Sequence, residues 1–201
     1  MRLWVAILAL LLALPAASAP RESKRTVTAN GRYRFQLFED APGSCRVEVT
    51  SDSGPVWSLP TCVGETTDAF FLSADAQRFW VLKTLPNRAE HKDRHAGAGR
   101  QRRRVAPGWG QTVVAVLHDR TGRVLEERKL ESFLTPEGYR KVRSLAKRFT
   151  WIEGVNGVPG KGPRFGAGGQ VTFETVEGRT HELSLEPPVP TKPGRAKLES
   201  K

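Results

Sequence analysis

Two short apolar runs, Phe70 to Leu72 and Phe79 to Leu82, flank a polar break at Ser73 to Arg78. Runs of that length, rich in aromatic and branched residues, predict strands rather than helices. A second pair lies downstream, Thr112 to Leu117 and Val124 to Leu130, around His118-Asp119-Arg120-Thr121-Gly122-Arg123. Thr112 to Leu117 is apolar on both faces, which marks a central strand. The four runs are expected to form the core of one sheet.

Upstream the pattern alternates instead. Tyr33, Phe35 and Leu37 interleave with Arg34 and Gln36, so this strand has one buried and one wet face. Asn30-Gly31 separates it from Thr26 to Ala29 and predicts a hairpin, because both turn residues tolerate positive φ. In the next unit Cys45, Val47 and Val49 alternate on one strand and Trp57 and Leu59 on the other. Pairing Val47 with Leu59 and Val49 with Trp57 gathers all four on one face across an Asp52-Ser53-Gly54 loop. Opposing Cys45 directly to Cys62 would turn Trp57 and Leu59 to the other face, so the hydrophobic register is preferred. Pro60 then ends the strand and Thr61-Cys62 curls back towards Cys45.

One segment changes period. Leu134, Thr135 and Pro136 read as a staple residue, an N-cap and a first helical position, and Tyr139, Val142, Leu145, Ala146 and Phe149 recur at helical spacing. The pattern predicts one amphipathic helix over about 136–148, weakened by Gly138. A last hairpin is expected from Gln170 to Val176 and Arg179 to Leu185, turning at Glu177-Gly178. The fold class is therefore mainly β, an antiparallel meander or sandwich-like sheet of β-hairpins with one covering helix.

The ends and one interior stretch fall outside this pattern. Met1-Arg2, an apolar Leu3 to Leu14 and small residues to Ala19 have the layout of a secretory signal peptide over 1–19. Cleavage after Ala19 would place Pro20 at the scissile bond, so a site at Ala16 to Ser18 remains open. No later run is long or apolar enough to span a membrane, and the mature chain is expected to be a soluble periplasmic or extracellular protein. Residues 20–186 then form a single β-rich domain. In an oxidising compartment the two cysteines, Cys45 and Cys62, are expected to form a disulfide.

The formal charge of +11 is unevenly distributed. Asn87 to Gly110 holds seven Lys and Arg against Glu90 and Asp93, without hydrophobic periodicity, and predicts a basic flexible insertion at 87–110. The Pro-rich tail 187–201 holds four basic residues against Glu199 and is expected to be disordered. Arg100, Arg102, Arg103 and Arg104 are the strongest binding candidates, since Arg clamps phosphate or carboxylate with two hydrogen bonds. Lipopolysaccharide, an anionic cell-wall polymer or extracellular DNA fits such a cluster, and a solvated insertion with no partner fits it equally.

Three segments share a layout: Ala29-Asn30-Gly31-Arg32-Tyr33-Arg34-Phe35, Ala74-Asp75-Ala76-Gln77-Arg78-Phe79-Trp80 and Ala167-Gly168-Gly169-Gln170-Val171-Thr172-Phe173. Each places a small polar turn before a strand, and the second leads on to Val114 to Leu125 with its Asp119-x-x-Gly122 turn. The succession resembles the blades of exported bacterial β-propeller repeat proteins. Ala76 stands where the blade pattern prefers Gly, and the third unit lacks the Asp-x-x-Gly turn. Three units are too few for a closed ring, so the resemblance implies an antiparallel meander acting as a partner-binding scaffold.

Catalytic and metal patterns are thin. His91 and His95 flank Asp93 among glycines and arginines that disfavour both a helix and a cation. No Gly-x-Ser-x-Gly accompanies His118, Asp119 or His181. Gly160-Lys161-Gly162 fails as a phosphate loop because Gly follows the Lys and Val155 replaces the first Gly. No catalytic residue, metal site or cofactor is assigned. The expected function is a non-catalytic interaction module binding an anionic polymer or an envelope protein. A hydrolase-type enzyme with an unrecognised site, or a structural subunit of an envelope complex, is the alternative.

Overall fold

The computed structural model describes residues 21–22, 26–28, 31–41, 43–86, 109–145, 148–154, 162–166 and 168–186. The chain begins with β1 (Arg21–Glu22), β2 (Thr26–Thr28), β3 (Tyr33–Ala41), β4 (Ser44–Ser51) and β5 (Gly54–Leu59). Then come β6 (Ala69–Leu72), β7 (Arg78–Leu82), β8 (Leu85–Pro86), β9 (Val113–Asp119) and β10 (Val124–Lys129). The last third holds β11 (Arg143–Leu145), β12 (Arg148–Thr150), β13 (Arg164–Phe165), β14 (Val171–Glu174) and β15 (Thr180–Leu183). These strands form four sheets: β1-β3-β4-β5, β10-β9-β7-β6-β2, β11-β12-β8 and β13-β14-β15. The fold is mainly β and almost wholly antiparallel; the parallel pair is β2 with β6.

The second sheet is the middle layer, and its two faces serve two cores. Phe70, Leu72, Phe79 and Val81 point to one side and pack with Phe35, Leu37, Val47, Val49 and Leu59 of the first sheet. Phe71, Trp80, Leu82, Ala115 and Leu117 point to the other and pack with Phe133, Trp151, Val171, Phe173 and Leu183. A strand buried on both faces needs apolar residues at every position, which is why β6 and β7 read as unbroken runs. Three tryptophans tie the layers together, Trp80 and Trp151 buried and Trp57 half-buried, each passing its indole N–H to a backbone carbonyl. Trp57 donates to Ala76 at 2.7 Å, Trp80 to Ser184 at 2.6 Å and Trp151 to Lys83 at 2.9 Å.

The hydrophobic register of the first sheet is as the alternation requires: Val47 opposes Leu59 and Val49 opposes Trp57. The register shifts after Val49, so Ser51 opposes Gly54 and the turn narrows to Asp52-Ser53, with Gly54 at φ 123°. Beyond β5 the chain curls back, and Cys62 bonds Cys45 with a Cα–Cα separation of 4.7 Å.

Two expectations are corrected. Thr26 to Ala29 does not pair with the Tyr33 strand across Asn30-Gly31. Instead β2 lies along β6 in the middle sheet and the chain crosses at Gly31 (φ 67°) into the first sheet. The amphipathic helix over 136–148 is also absent: a single 3-10 turn, Gly138–Lys141, is followed by β11 and β12. Thr135 does cap, its hydroxyl accepting the Gly138 N–H at 3.2 Å, and Tyr139 and Val142 do pack on the core. Val142 then turns extended, at ψ 127°, and the backbone finds its partners in a sheet, β11 pairing with β12 and β12 with β8, rather than along a helix. Among the described residues no helix is long and apolar enough to cross a membrane.

Candidate functional site

The three turn-led segments converge on one end of the molecule. Phe35, two residues into β3, packs on Phe79 with ring centroids 5.0 Å apart. Arg78, at the start of β7, donates to the Leu185 carbonyl at 3.0 Å. A cleft of about 420 Å³ lies beside the first segment, lined by Gly31 to Phe35 and Thr50 to Asp52. A second, of about 450 Å³, lies between the other two, lined by Ser73, Asp75, Arg78, Gly168 to Gln170 and Ser184 to Glu186.

The turn flanking this second cleft is tightly built. Asp75 Oδ1 accepts the Ser73 hydroxyl and, at 3.0 Å, the Gln77 N–H. Burial alone would push the Asp75 carboxyl up, yet those two donors and the Arg78 guanidinium hold it below the ordinary carboxylate value. Ala76 sits at φ 56°, an uncommon conformation for a residue with a Cβ. Its buried methyl and the Trp57 bond to its carbonyl keep it there. Across the cleft, the Gln170 carboxamide lies over Gly166 and Gly168, where a Cβ would come within 2.9 and 2.6 Å of it.

The flanks of the insertion lie at the other end of the middle sheet. β7 runs away from the cleft, Lys83 donates its N–H to Val114 at 2.7 Å, and β8 ends at Pro86; the chain re-enters at the 3-10 turn Trp109–Gln111 before β9. Arg100, Arg102, Arg103 and Arg104 lie outside the described residues, as do His91, Asp93 and His95. At this junction stands a residue that the sequence did not single out. Asp68 is 2 % exposed and accepts the N–H groups of Glu65 at 2.9 Å and Thr84 at 3.1 Å. Burial pushes its carboxyl up to about 6 against the Thr84 bonds and the nearby Lys83 charge. The signal was an acid placed directly before a run that is apolar on both faces.

The two histidines are not brought together. His118 stacks on Phe79 at 5.1 Å, on the side of the first sheet, and its Nδ1–H donates to the Gly122 carbonyl at 3.0 Å. His181 stacks on Phe173 at 5.7 Å, in the opposite core. Burial lowers the pKa of both, and each keeps a buried Nε2 without a hydrogen-bond partner among the described residues. Asp119 is occupied with its own turn, accepting the Thr121 N–H at 2.9 Å and the Arg123 N–H at 3.1 Å. Among the described residues no group of three or more His, Cys, Asp or Glu side chains is placed to hold a metal ion. Comparison with protein families, with curated proteins and with solved structures gives no match to this chain.

Proposed function

We propose that the chain is an exported, non-catalytic interaction module that holds an anionic polymer through its basic insertion. The observation that carries this reading is the concentration of charge: seven of the cationic side chains fall within 87–110, including Arg100, Arg102, Arg103 and Arg104. Such a cluster attracts a polyanion by displacing its condensed counterions. The Cys45–Cys62 bond supports an oxidising compartment beyond the leader at 1–19. In this reading the antiparallel sheets act as scaffold and the connections between them as binding surface.

The test is retention of the chain lacking residues 1–19 on immobilised polyphosphate over a rising salt gradient, alongside a variant that also lacks 96–104. The deletion is expected to elute at markedly lower salt. Co-elution of the two proteins would remove the insertion from the account.

A further inference from the structure

We propose that the cleft between the second and third turn-led segments is a binding site for a neutral polyhydroxylated ligand, a short oligosaccharide. The described flanks of the basic insertion, Pro86 and Trp109, lie at the opposite end of the middle sheet. Three observations carry the proposal. Asp75 Oδ2 and Arg78 Nη2 face each other 3.8 Å apart, too far for a hydrogen bond of their own. One sugar hydroxyl can bridge that gap, accepting from the guanidinium while donating to the carboxylate. Both groups are fixed beforehand, Asp75 by Ser73 and Gln77 and Arg78 by the Leu185 carbonyl, so little conformational freedom is lost when a ligand arrives. The turn that presents them is held with Ala76 at positive φ, a conformation that persists where the surroundings impose it and that gathers at ligand sites.

The remaining lining fixes the ligand class. Gln170 and Ser184 offer groups that both donate and accept, as vicinal hydroxyls require, and Ala74 and Leu185 add apolar surface for the C–H face of a sugar ring. Asp75 and Glu186 outweigh Arg78 in charge, which disfavours an anion here and sets this cleft apart from a polyanion site. At about 450 Å³ the cleft suits roughly two sugar rings.

The experiment is an amide chemical-shift titration of the full mature chain with maltose, cellobiose and N,N′-diacetylchitobiose. Saturable shifts confined to 73–78, 168–170 and 184–186 are expected with at least one sugar, at a Kd of about 1 mM. Asp75→Asn keeps the Oδ1 acceptor for the turn but turns Oδ2 into a donor, and is expected to weaken binding about tenfold with the spectrum of the free protein otherwise unchanged. Deleting 96–104 should leave the titration as it was. Absence of saturable shifts with all three sugars up to about 20 mM would overturn the proposal, as would equal affinity in Asp75→Asn. Neither result bears on polyanion binding.

Discussion

Burial strips the Asp68 carboxylate of water, and the bonds it accepts from Glu65 and Thr84 return only part of that loss. Its folded-state pKa, about 6, stands above the ordinary 3.8, so the folded chain holds this proton more tightly than the unfolded chain does. The stability it contributes is fully present below the ordinary value and is lost as pH rises through about 6. Over that window the shift is worth up to about 3 kcal/mol. Asp75, Asp119 and Glu177 work in the other direction: their depressed values give stability that is lost only as pH falls through them. Asp68→Asn is therefore expected to remove the decline in unfolding free energy between about pH 4 and 6.5 while leaving the acid limb in place. Urea titrations of both proteins at a series of pH values measure this, and an unchanged decline in the variant would show that another group is responsible. None of this could be read from composition, because an Asp beside an apolar run becomes unusual only when two segments close over it.

At the scale of elements, what succeeded and what failed have a common cause. The β4–β5 register was readable because both strands are local and half-buried, so a slip of one residue would expose Trp57 and Leu59. β2 was misassigned because its partner β6 is distant in sequence, and Asn-Gly signals a turn without saying which sheet the chain enters next. The 136–148 pattern misled because Tyr139 and Val142 face the core from one turn as well as from a helix. Gly138 separates the two readings. In a helix, Gly138→Ala would stabilise by up to about 1 kcal/mol. Here the new Cβ would collide with the Glu177 side chain and displace the carboxylate that accepts the Thr135 N–H and hydroxyl. A loss of about 1 kcal/mol is expected instead, and a raised melting temperature would favour the helix. The Cys45–Cys62 bond, readable from the sequence, closes a separation of 17 residues and is expected to contribute about 3 kcal/mol. Cys45→Ser with Cys62→Ser should lower the urea midpoint accordingly, and an unmoved midpoint would mean that the unfolded chain is already constrained there.

For the whole molecule, the Ala69 to Thr84 stretch is a middle layer that turns one apolar face to each core. At the turn end its Asp75 and Arg78 line a cleft; at the other end it leads to the insertion. The sequence pattern drew attention to the insertion end and gave no sign of the clefts beside the turn-led segments. What it could not supply was which side chains meet, because Arg78 and Leu185 lie 107 residues apart. The arginine cluster was visible as charge alone, and charge carries no geometry. The proposed binding role is tested most directly by the salt dependence of affinity for double-stranded DNA. Replacing Arg100, Arg102, Arg103 and Arg104 together by Ser removes the guanidinium groups that would neutralise phosphates. The slope of log K against log salt should then become shallower by about 3 to 4. A slope unchanged by the four substitutions would contradict the account.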